Sequence, residues 1–305
     1  MKLPPCSRVV FRTRVPSEAI KPWKSKHPLP EHYDVLLSGN CEVRGPSGEP
    51  VVVILRDVLS RDVVAEAKPI LHWMRKFTSD NRANYAGAPG GTGKITRADG
   101  TKSKTNRALN ADGSFVEVAS MVGGFFEQQG GRFPFCRTTG FTRNYPEKWN
   151  KLLPLFAECA RVYEKALPKR YSTQMQVVKD THQAWLIPDT PFTTITVNNT
   201  VAAAYHKDGG DLKSGMGILL AFEQGEFDGF ELVVPEYKIA IRVKDGDVLL
   251  FNPVVWHGNI PPSNQVGEQD VDWWRTSLVL YYRDGITGCL SPEEEQAKAK
   301  RRGAI

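Results

Sequence analysis

The stretch "NNTVAAAYHKDGGDL", residues 198–212, joins a strand-like run of small and aromatic side chains to a histidine and two aspartates. Residues i and i+2 of an extended segment face the same way, so the side chains of His206 and Asp208 can point at one spot. A His-x-Asp triplet carries little information alone. Its meaning depends on what distant parts of the sequence bring to it.

A third candidate ligand follows a buried strand later in the chain. The segment "GDVLLFNPVVWHGNIPP", residues 246–262, has an apolar strand pattern and then His257. Two imidazoles and one carboxylate on one side of an ion leave its other positions open, which is the facial triad of non-haem Fe(II) oxygenases. A lone histidine beside a tryptophan is more often structural. The order of strand, His-x-Asp, further strands and histidine favours a metal site here.

A basic residue suited to bind an oxo-acid co-substrate stands at the start of the next predicted strand. A 2-oxo acid chelates iron through its keto-acid end, and its far carboxylate needs a partner such as a guanidinium. Arg275 begins the run "RTSLVLYYR", and Ser277 shares its face of that strand. The stretch "SNQVGEQDVDWW" lengthens the gap between His257 and Arg275, which leaves Arg283 as the alternative anchor.

Short β-rich runs separated by Gly, Pro and Asp fill the second half of the chain. They lie at residues 192–199, 216–223, 230–235, 238–243, 247–252 and 275–283. Six or more short strands at this spacing predict a sandwich or barrel, with a jelly roll as the leading form. Helical patterns precede them, so the predicted fold class is α+β, a jelly-roll core flanked by N-terminal helices.

The sequence divides into four predicted regions. Residues 1–50, rich in proline and basic side chains, form an N-terminal arm, and residues 51–172 form a helical support region. That region contains a basic, glycine-rich loop at 79–114. The jelly-roll core covers 173–288, and a helix and tail cover 289–305.

Several local signals predict individual elements. After a strand at 51–59, a helix is expected that is capped by Ser60, is kinked at Pro69 and runs to about Phe77. A second helix is expected at about 152–167, with Pro154 in its first turn. At the C-terminus, Ser291 and Glu294 form the capping box of a solvated helix.

One motif inside the basic loop resembles a phosphate-binding loop but fails its spacing. In "GAPGGTGKIT" the residue five before Gly93 is Ala88, and Ile95 follows Lys94 where Ser or Thr is required. A nucleotide triphosphatase is therefore rejected, and a mobile basic loop is the prediction for this stretch.

Composition sets the broad class of the protein. With 41% hydrophobic and 24% charged residues the chain has ordinary globular usage, so global disorder is excluded. A formal charge of +6 favours an anionic partner such as nucleic acid, although many other proteins are equally basic. The sequence has no run long enough to cross a bilayer and no signal-peptide pattern. Five scattered cysteines predict reduced thiols in an intracellular, soluble protein of the cytoplasm or nucleus, without a membrane partner.

The candidate metal ligands and the candidate arginine anchor described above together resemble the motif of a known family. His206-x-Asp208, His257 and Arg275 are similar to the motif of the Fe(II)/2-oxoglutarate dioxygenases, whose double-stranded β-helix would cover 173–288. Within that superfamily, "FTTITVNNTVAAAYHKDGGDL" and the upstream "CRTTGFTRNYPEKW" most resemble the TET/J-binding-protein branch, which hydroxylates 5-methylpyrimidines in DNA. The resemblance implies Fe(II), 2-oxoglutarate and O2 as cofactor and co-substrates.

The resemblance also implies roles for polar residues near the triad. Asp211 is expected to reach the target pyrimidine or its water, with a turn-capping role as the equal alternative. Asn198 or Asn199 reads a base edge or bonds the sheet, and Asn144 is a further candidate for base contact. In the insert, Tyr85 is a candidate to fill the space left by a flipped base.

The expected reaction follows from the branch. The methyl group of 5-methylcytosine in flipped-out DNA loses hydrogen to a ferryl oxidant and gains hydroxyl, giving 5-hydroxymethylcytosine and possibly further products. The alternative is a hydroxylase of the same chemistry acting on a protein side chain, thymine or a small metabolite. A third class, a non-catalytic jelly-roll binding module, is disfavoured because all three metal ligands are present.

Overall fold

Two facing β-sheets flanked by helices form the centre of the molecule. The structure is a computed structural model, and it describes residues 2–74, 87–96, 99–115, 120–127, 135–263 and 273–303. The larger sheet has nine strands, in the order β1 (Ser7–Val10), β3 (Cys41–Arg44), β4 (Pro50–Leu55), β13 (Val248–Phe251), β10 (Gly217–Gln224), β15 (Trp274–Tyr281), β9 (Thr194–Asn199), β7 (Ser120–Phe126) and β8 (Arg137–Thr138).

A second sheet faces the first across the core. Its four strands are β14 (Gly258–Asn259), β11 (Leu232–Val234), β12 (Ile239–Ile241) and β2 (Val35–Leu37). A separate hairpin pairs β5 (Thr92–Thr96) with β6 (Lys102–Ala108). The described helices are α1 (Ser17–Ile20), α2 (Arg61–Trp73), α3 (Gly140–Asn144), α4 (Pro146–Ala166), α5 (Pro168–Lys179) and α6 (Pro292–Arg301).

Strand β10 shows why the sheets stack as they do. Its alternate residues Ile218 and Phe222 pack into the cluster shared with α2 and α4, whereas Leu219 and Ala221 pack against the smaller sheet. Both faces of the strand are therefore buried, which explains its continuous apolar run. Each of the six predicted β-runs overlaps an observed strand, and the predicted α+β jelly-roll class is confirmed.

The N-terminal arm and the helical region also contribute strands. β1 pairs in parallel with β3, and β2 pairs in parallel with β12, so the arm extends one edge of each sheet. β4 and β7 join the larger sheet beside β13 and β9. The larger sheet thus takes strands from residues 7–138 as well as from the predicted core region at 173–288.

Two expectations about the helices were wrong in detail. Pro154 lies well inside α4, which begins eight residues earlier at Pro146, because the Pro146 ring already suits the first helical turn. Ser60 precedes α2 but makes no side-chain cap; its hydroxyl bonds to Glu158 of α4 at 2.9 Å instead. The predicted end of this helix near residue 77, and Tyr85, lie outside the described residues.

The basic insert is more ordered than a loop. Within its described part, β5 and β6 form an antiparallel hairpin with Lys94 opposite Asn106 and Thr96 opposite Lys102. The prediction of a structureless loop at 79–114 was therefore wrong for this segment.

The C-terminal segment is tied to the upstream part of the chain. Cys136 and Cys289 form a disulfide with Cα atoms 5.9 Å apart, so the prediction of five reduced thiols was wrong for this pair. The capping box of Ser291 and Glu294 is confirmed, but α6 is not fully solvated. Its buried Glu295 accepts a hydrogen bond from the backbone of Cys136 at 2.8 Å.

Membrane insertion through a helix finds no support in the described part of the chain. None of its helices combines the length and the apolar character that a bilayer crossing requires.

Candidate active site

Three predicted ligands meet at one point between the sheets. His206 Nε2 lies 3.5 Å from Asp208 Oδ1, and His257 Nε2 lies 3.5 Å from Asp208 Oδ2. Candidate ligand atoms of the three residues all lie within 4.8 Å of one another. Adjacent ligands on a small divalent ion with bonds of about 2.1 Å are roughly 3 Å apart, so a small contraction brings the atoms to bonding distance.

The backbone fixes the two imidazoles relative to each other. His206 and His257 pair as an antiparallel bridge, with N–H···O bonds of 2.9 and 3.0 Å in the two directions. Each Nδ1 lies within hydrogen-bonding distance of a carbonyl two residues earlier, Ala204 at 2.8 Å and Val255 at 3.1 Å. An Nδ1–H donated to a carbonyl leaves Nε2 as the unprotonated ligand atom, which is the usual arrangement in metal sites.

The electrostatics of the site keep its buried imidazole neutral. Burial, and then the nearby His206, lower the pKa of His257 to about 4, while the Asp208 carboxylate opposes the change. At neutral pH this imidazole is therefore uncharged and its Nε2 lone pair is available to an ion.

A glycine packs closely against the side chain of His206. A Cβ placed on Gly87 would lie 2.6 Å from His206 Nδ1 and 2.5 Å from the Ala204 carbonyl oxygen. Gly87 also has φ of +77°, a left-handed conformation that a side chain disfavours. Only glycine therefore fits the close approach of this segment to the candidate ligand.

A cavity opens beside the triad, between the two sheets. It holds about 830 Å³ of empty space, its open mouth included. Apolar side chains from both sheets line it, among them Leu219, Leu232, Phe251 and Val279. Its polar lining comes from the triad and from Thr196, Asn198, Asp211, Asn259, Ser277, Tyr281 and Arg283.

Arg275 is buried on the strand face that lines this cavity, although it is not itself among the lining residues. It shares a face of β15 with the lining residues Ser277 and Val279, and its side chain is only 3% exposed. Its guanidinium lies 5.0 Å from the Phe230 ring centroid, and its buried Nε has no hydrogen-bond partner among the described residues. Burial, and then the nearby Arg242, lower the pKa of Arg275 to about 10, so it stays charged at neutral pH.

Arg283, the alternative anchor, is already neutralised. Its guanidinium makes a two-pronged ion pair with Glu127 and lies 4.3 Å from the ring centroid of Phe126. The backbone of Arg283 bridges that of Asp211, which places the Asp211 segment along this wall of the cavity. Asp211 is among the residues that line the cavity.

The structure separates the remaining predicted residues. Asn198 lines the cavity, whereas Asn199 on the other face of β9 accepts a hydrogen bond from Thr276 Oγ1 at 2.7 Å. Asn144 is exposed at the end of α3 and is not among the residues that line the cavity.

Two residues that sequence reasoning missed also belong to the site. Glu127 has no pattern that would identify it. Tyr281 shares the face of β15 with Arg275, so strand alternation could have found it.

The residues present fit both groups that this chemistry needs. Two imidazoles and a carboxylate are the donor set of a non-haem Fe(II) centre. A buried arginine whose Nε has no partner among the described residues is costly unless an anion binds it, and the far carboxylate of 2-oxoglutarate would supply one.

Comparison with known proteins gives a family. Residues 120–284 match the Tet_JBP family, described as the oxygenase domain of the 2OGFeDO superfamily. Thymine dioxygenase JBP1-B of Trypanosoma cruzi is 31% identical over 205 residues, 66% of this chain and 24% of that protein. The bifunctional helicase and thymine dioxygenase JBP2 of Leishmania tarentolae is 34% identical over 169 residues, 54% of this chain and 14% of that protein. The chain thus spans a quarter or less of the length of these relatives.

A solved structure shares the fold. NgTET1 in complex with 5mC DNA superposes with a TM-score of 0.60 at 12% identity, covering 97% of this chain and 90% of that one. With the family match over more than half of the sequence and the triad assembled, the chain belongs to the Tet_JBP family of Fe(II)- and 2-oxoglutarate-dependent oxygenase domains.

Proposed function

We propose that this chain oxidises the methyl group of 5-methylcytosine in DNA to 5-hydroxymethylcytosine. One observation carries the proposal: the three candidate iron ligands open onto a cavity whose wall also presents Asp211 and Asn198. The cavity lies between two sheets, so a base stacked in a duplex has to leave the helix to reach it.

The residues have separate tasks in this proposal. His206, Asp208 and His257 hold the iron, while Arg275 and Ser277 hold the far carboxylate of 2-oxoglutarate. Bound together with O2, these groups supply the oxidant that hydroxylates a methyl group, with succinate and CO2 as co-products. The apolar wall of Leu219, Phe251 and Val279 excludes water from that point.

Asp211 supports cytosine over thymine as the base. An ionised carboxylate only accepts hydrogen bonds. Cytosine presents an amino donor at its 4-position, where thymine presents an oxygen acceptor. An Asp211 carboxylate directed at that edge attracts the amino group and repels the carbonyl. The Asn198 amide both donates and accepts, so it adds contact without discriminating between the two bases.

Thymine is the second candidate. The relatives at 31% and 34% identity are named thymine dioxygenases. Asp211 could also accept from the ring N–H of thymine, which cytosine lacks. Comparing DNA substrates that carry one or the other base at a single position distinguishes these two candidates.

The experiment compares matched duplexes that differ at one position, 5-methylcytosine or thymine. The chain is supplied with Fe(II), 2-oxoglutarate and air, and nucleosides are quantified by mass spectrometry. We expect 5-hydroxymethylcytosine from the first duplex and little 5-hydroxymethyluracil from the second. The reverse ratio assigns the chain to thymine. Absence of both products, with succinate formed only on addition of a peptide or metabolite, rejects a DNA substrate. Asp208→Ala, which lacks the carboxylate ligand, is the inactive control.

A further inference from the structure

Two lysine-bearing segments adjoin the outer edge of the strand-like segment that carries His206. The N–H of Ala204 donates to the Gly87 carbonyl at 2.8 Å, at the base of the β5–β6 hairpin. The next residue, Tyr205, exchanges hydrogen bonds with the arm: its N–H donates to the Lys26 carbonyl at 2.9 Å and its carbonyl accepts from Ser25 at 3.0 Å. The hairpin and the arm therefore meet at consecutive residues.

The hairpin is joined firmly at this base. Gly90 N–H donates to the Leu109 carbonyl at 2.8 Å, and Leu109 N–H donates to the Gly91 carbonyl at 3.0 Å. Beyond them, Lys94 lies opposite Asn106 and Lys102 lies opposite Thr96, with a register shift between the two pairs. Both lysines therefore belong to the hairpin that is joined to the ligand segment through Gly87.

Four exposed lysines define a surface that we call the basic rim: Lys24 and Lys26 on the arm, and Lys94 and Lys102 on the hairpin. Within the described part of the chain, none of their ammonium groups takes part in a salt bridge. Lys207, between the metal ligands, differs because its ammonium bonds to Ser17 Oγ at 2.8 Å. Four unpaired like charges repel one another, and an extended anion relieves that repulsion.

We infer that the basic rim binds the phosphate backbone of duplex DNA next to the nucleotide that enters the cavity. The inference rests on the proposed function and adds the surface that receives the duplex. Duplex DNA carries a charge about every 1.7 Å along its axis, so it can engage both segments of the rim at once. Ala203, beside the Gly87 contact, lines the cavity, which makes the rim and the cavity wall adjoin.

The test is the salt dependence of DNA affinity. The full chain is loaded anaerobically with Fe(II) and 2-oxoglutarate, which prevents turnover, and titrated into a fluorescent duplex containing one 5-methylcytosine. For each phosphate contact removed, the slope of log affinity against log salt falls by about 0.9. We expect Lys94→Gln/Lys102→Gln and Lys24→Gln/Lys26→Gln each to reduce the slope by about 1.8 and to weaken binding.

The matched control is Lys169→Gln/Lys179→Gln, which removes the same charge from exposed positions of α5 and should leave the slope at the wild-type value. Equal unfolding temperatures exclude misfolding of any variant. If both double variants of the rim keep the wild-type slope, the inference is overturned. If only one of them changes the slope, the claim that both segments bind DNA is overturned.

Oxidation by the wild-type chain separates this inference from the proposed function. If the chain oxidises DNA while the rim variants bind like wild type, the surface alone is refuted. If rim variants lose slope but the wild-type chain oxidises no base, the surface stands and the proposed function fails.

Discussion

Substituting Gly87 with alanine tests whether the hairpin base supports the metal ligand. The new Cβ would lie 2.6 Å from His206 Nδ1 and 2.5 Å from the Ala204 carbonyl oxygen, between the two atoms of a 2.8 Å hydrogen bond. To reach an ordinary contact of 3.4 Å, the imidazole or the hairpin must move by about 0.8 Å. Either movement loosens the bond that orients the ring.

Two penalties act at this position, and they can be separated. A side chain at φ of +77° costs about 1 kcal/mol in the folded state, whatever the space around it. Gly91 provides the matched control: its φ is +72° and an added Cβ meets nothing within 4 Å. Gly91→Ala therefore carries the backbone penalty without the contact with His206.

The assay is an anaerobic Fe(II) titration in the presence of 2-oxoglutarate, followed by the charge-transfer absorption in the visible. Loss of a hydrogen bond that orients a metal-bound histidine typically costs about 10- to 100-fold in metal affinity. We expect Gly87→Ala to lose affinity in that range, and Gly91→Ala to bind iron like wild type. Equal iron affinities for the two variants would refute the role assigned to the Gly87 contact.

Three further outcomes follow from the site and its supports. Arg275→Gln should raise the KM for 2-oxoglutarate by roughly 10- to 100-fold, since a charged hydrogen bond is lost, without lowering the unfolding temperature of the unliganded chain. Asn198→Ala should raise the KM for DNA, whereas Asn199→Ala should cost about 1–2 kcal/mol of unfolding free energy by leaving Thr276 unpaired. Reduction of the disulfide, with a sequence separation of 153 residues, should lower unfolding free energy by about 2–5 kcal/mol in denaturant titrations.

Each of these has a contradicting result. If Arg275→Gln leaves the KM for 2-oxoglutarate unchanged, Arg283 becomes the residue that binds the co-substrate. Glu127→Gln, which frees Arg283 from its ion pair, should then lower that KM. Equal stability losses at Asn198 and Asn199 mean that both side chains serve the sheet. If reductant does not change the unfolding temperature, the Cys136–Cys289 bond does not contribute to the stability of the fold.

The triad was predictable because each of its ligands is marked by the residues around it in the sequence. Spacing of two residues on an extended segment brings His206 and Asp208 to one side, and His257 follows a strand whose apolar run is unmistakable. The two asparagines show the limit of that reasoning. Because side chains alternate along a strand, Asn198 and Asn199 face opposite sides of the sheet. Which of them faces the cavity depends on the register with β15, because a shift of one residue exchanges the two.

Other features depend on partners that are distant in the sequence. Glu127 pairs with Arg283 across 156 positions, and no local pattern distinguishes it from any surface glutamate. The disulfide joins two cysteines whose spacing matches no motif. The hairpin was missed for a different reason: the sequences of β5 and β6 contain few apolar residues, so their composition is that of a loop.

The distribution of charge gives a physical reason for base flipping at this site. Asp208 and Asp211 place two carboxylates in the cavity, which repel a phosphate. The proposed rim places four unpaired ammonium groups outside it, which attract one. A duplex held by its backbone on such a rim leaves its phosphates outside and offers only a neutral base to the cavity. The rim lysines should therefore contribute to the salt slope of binding, and Asp211→Asn should change the choice of base without changing that slope.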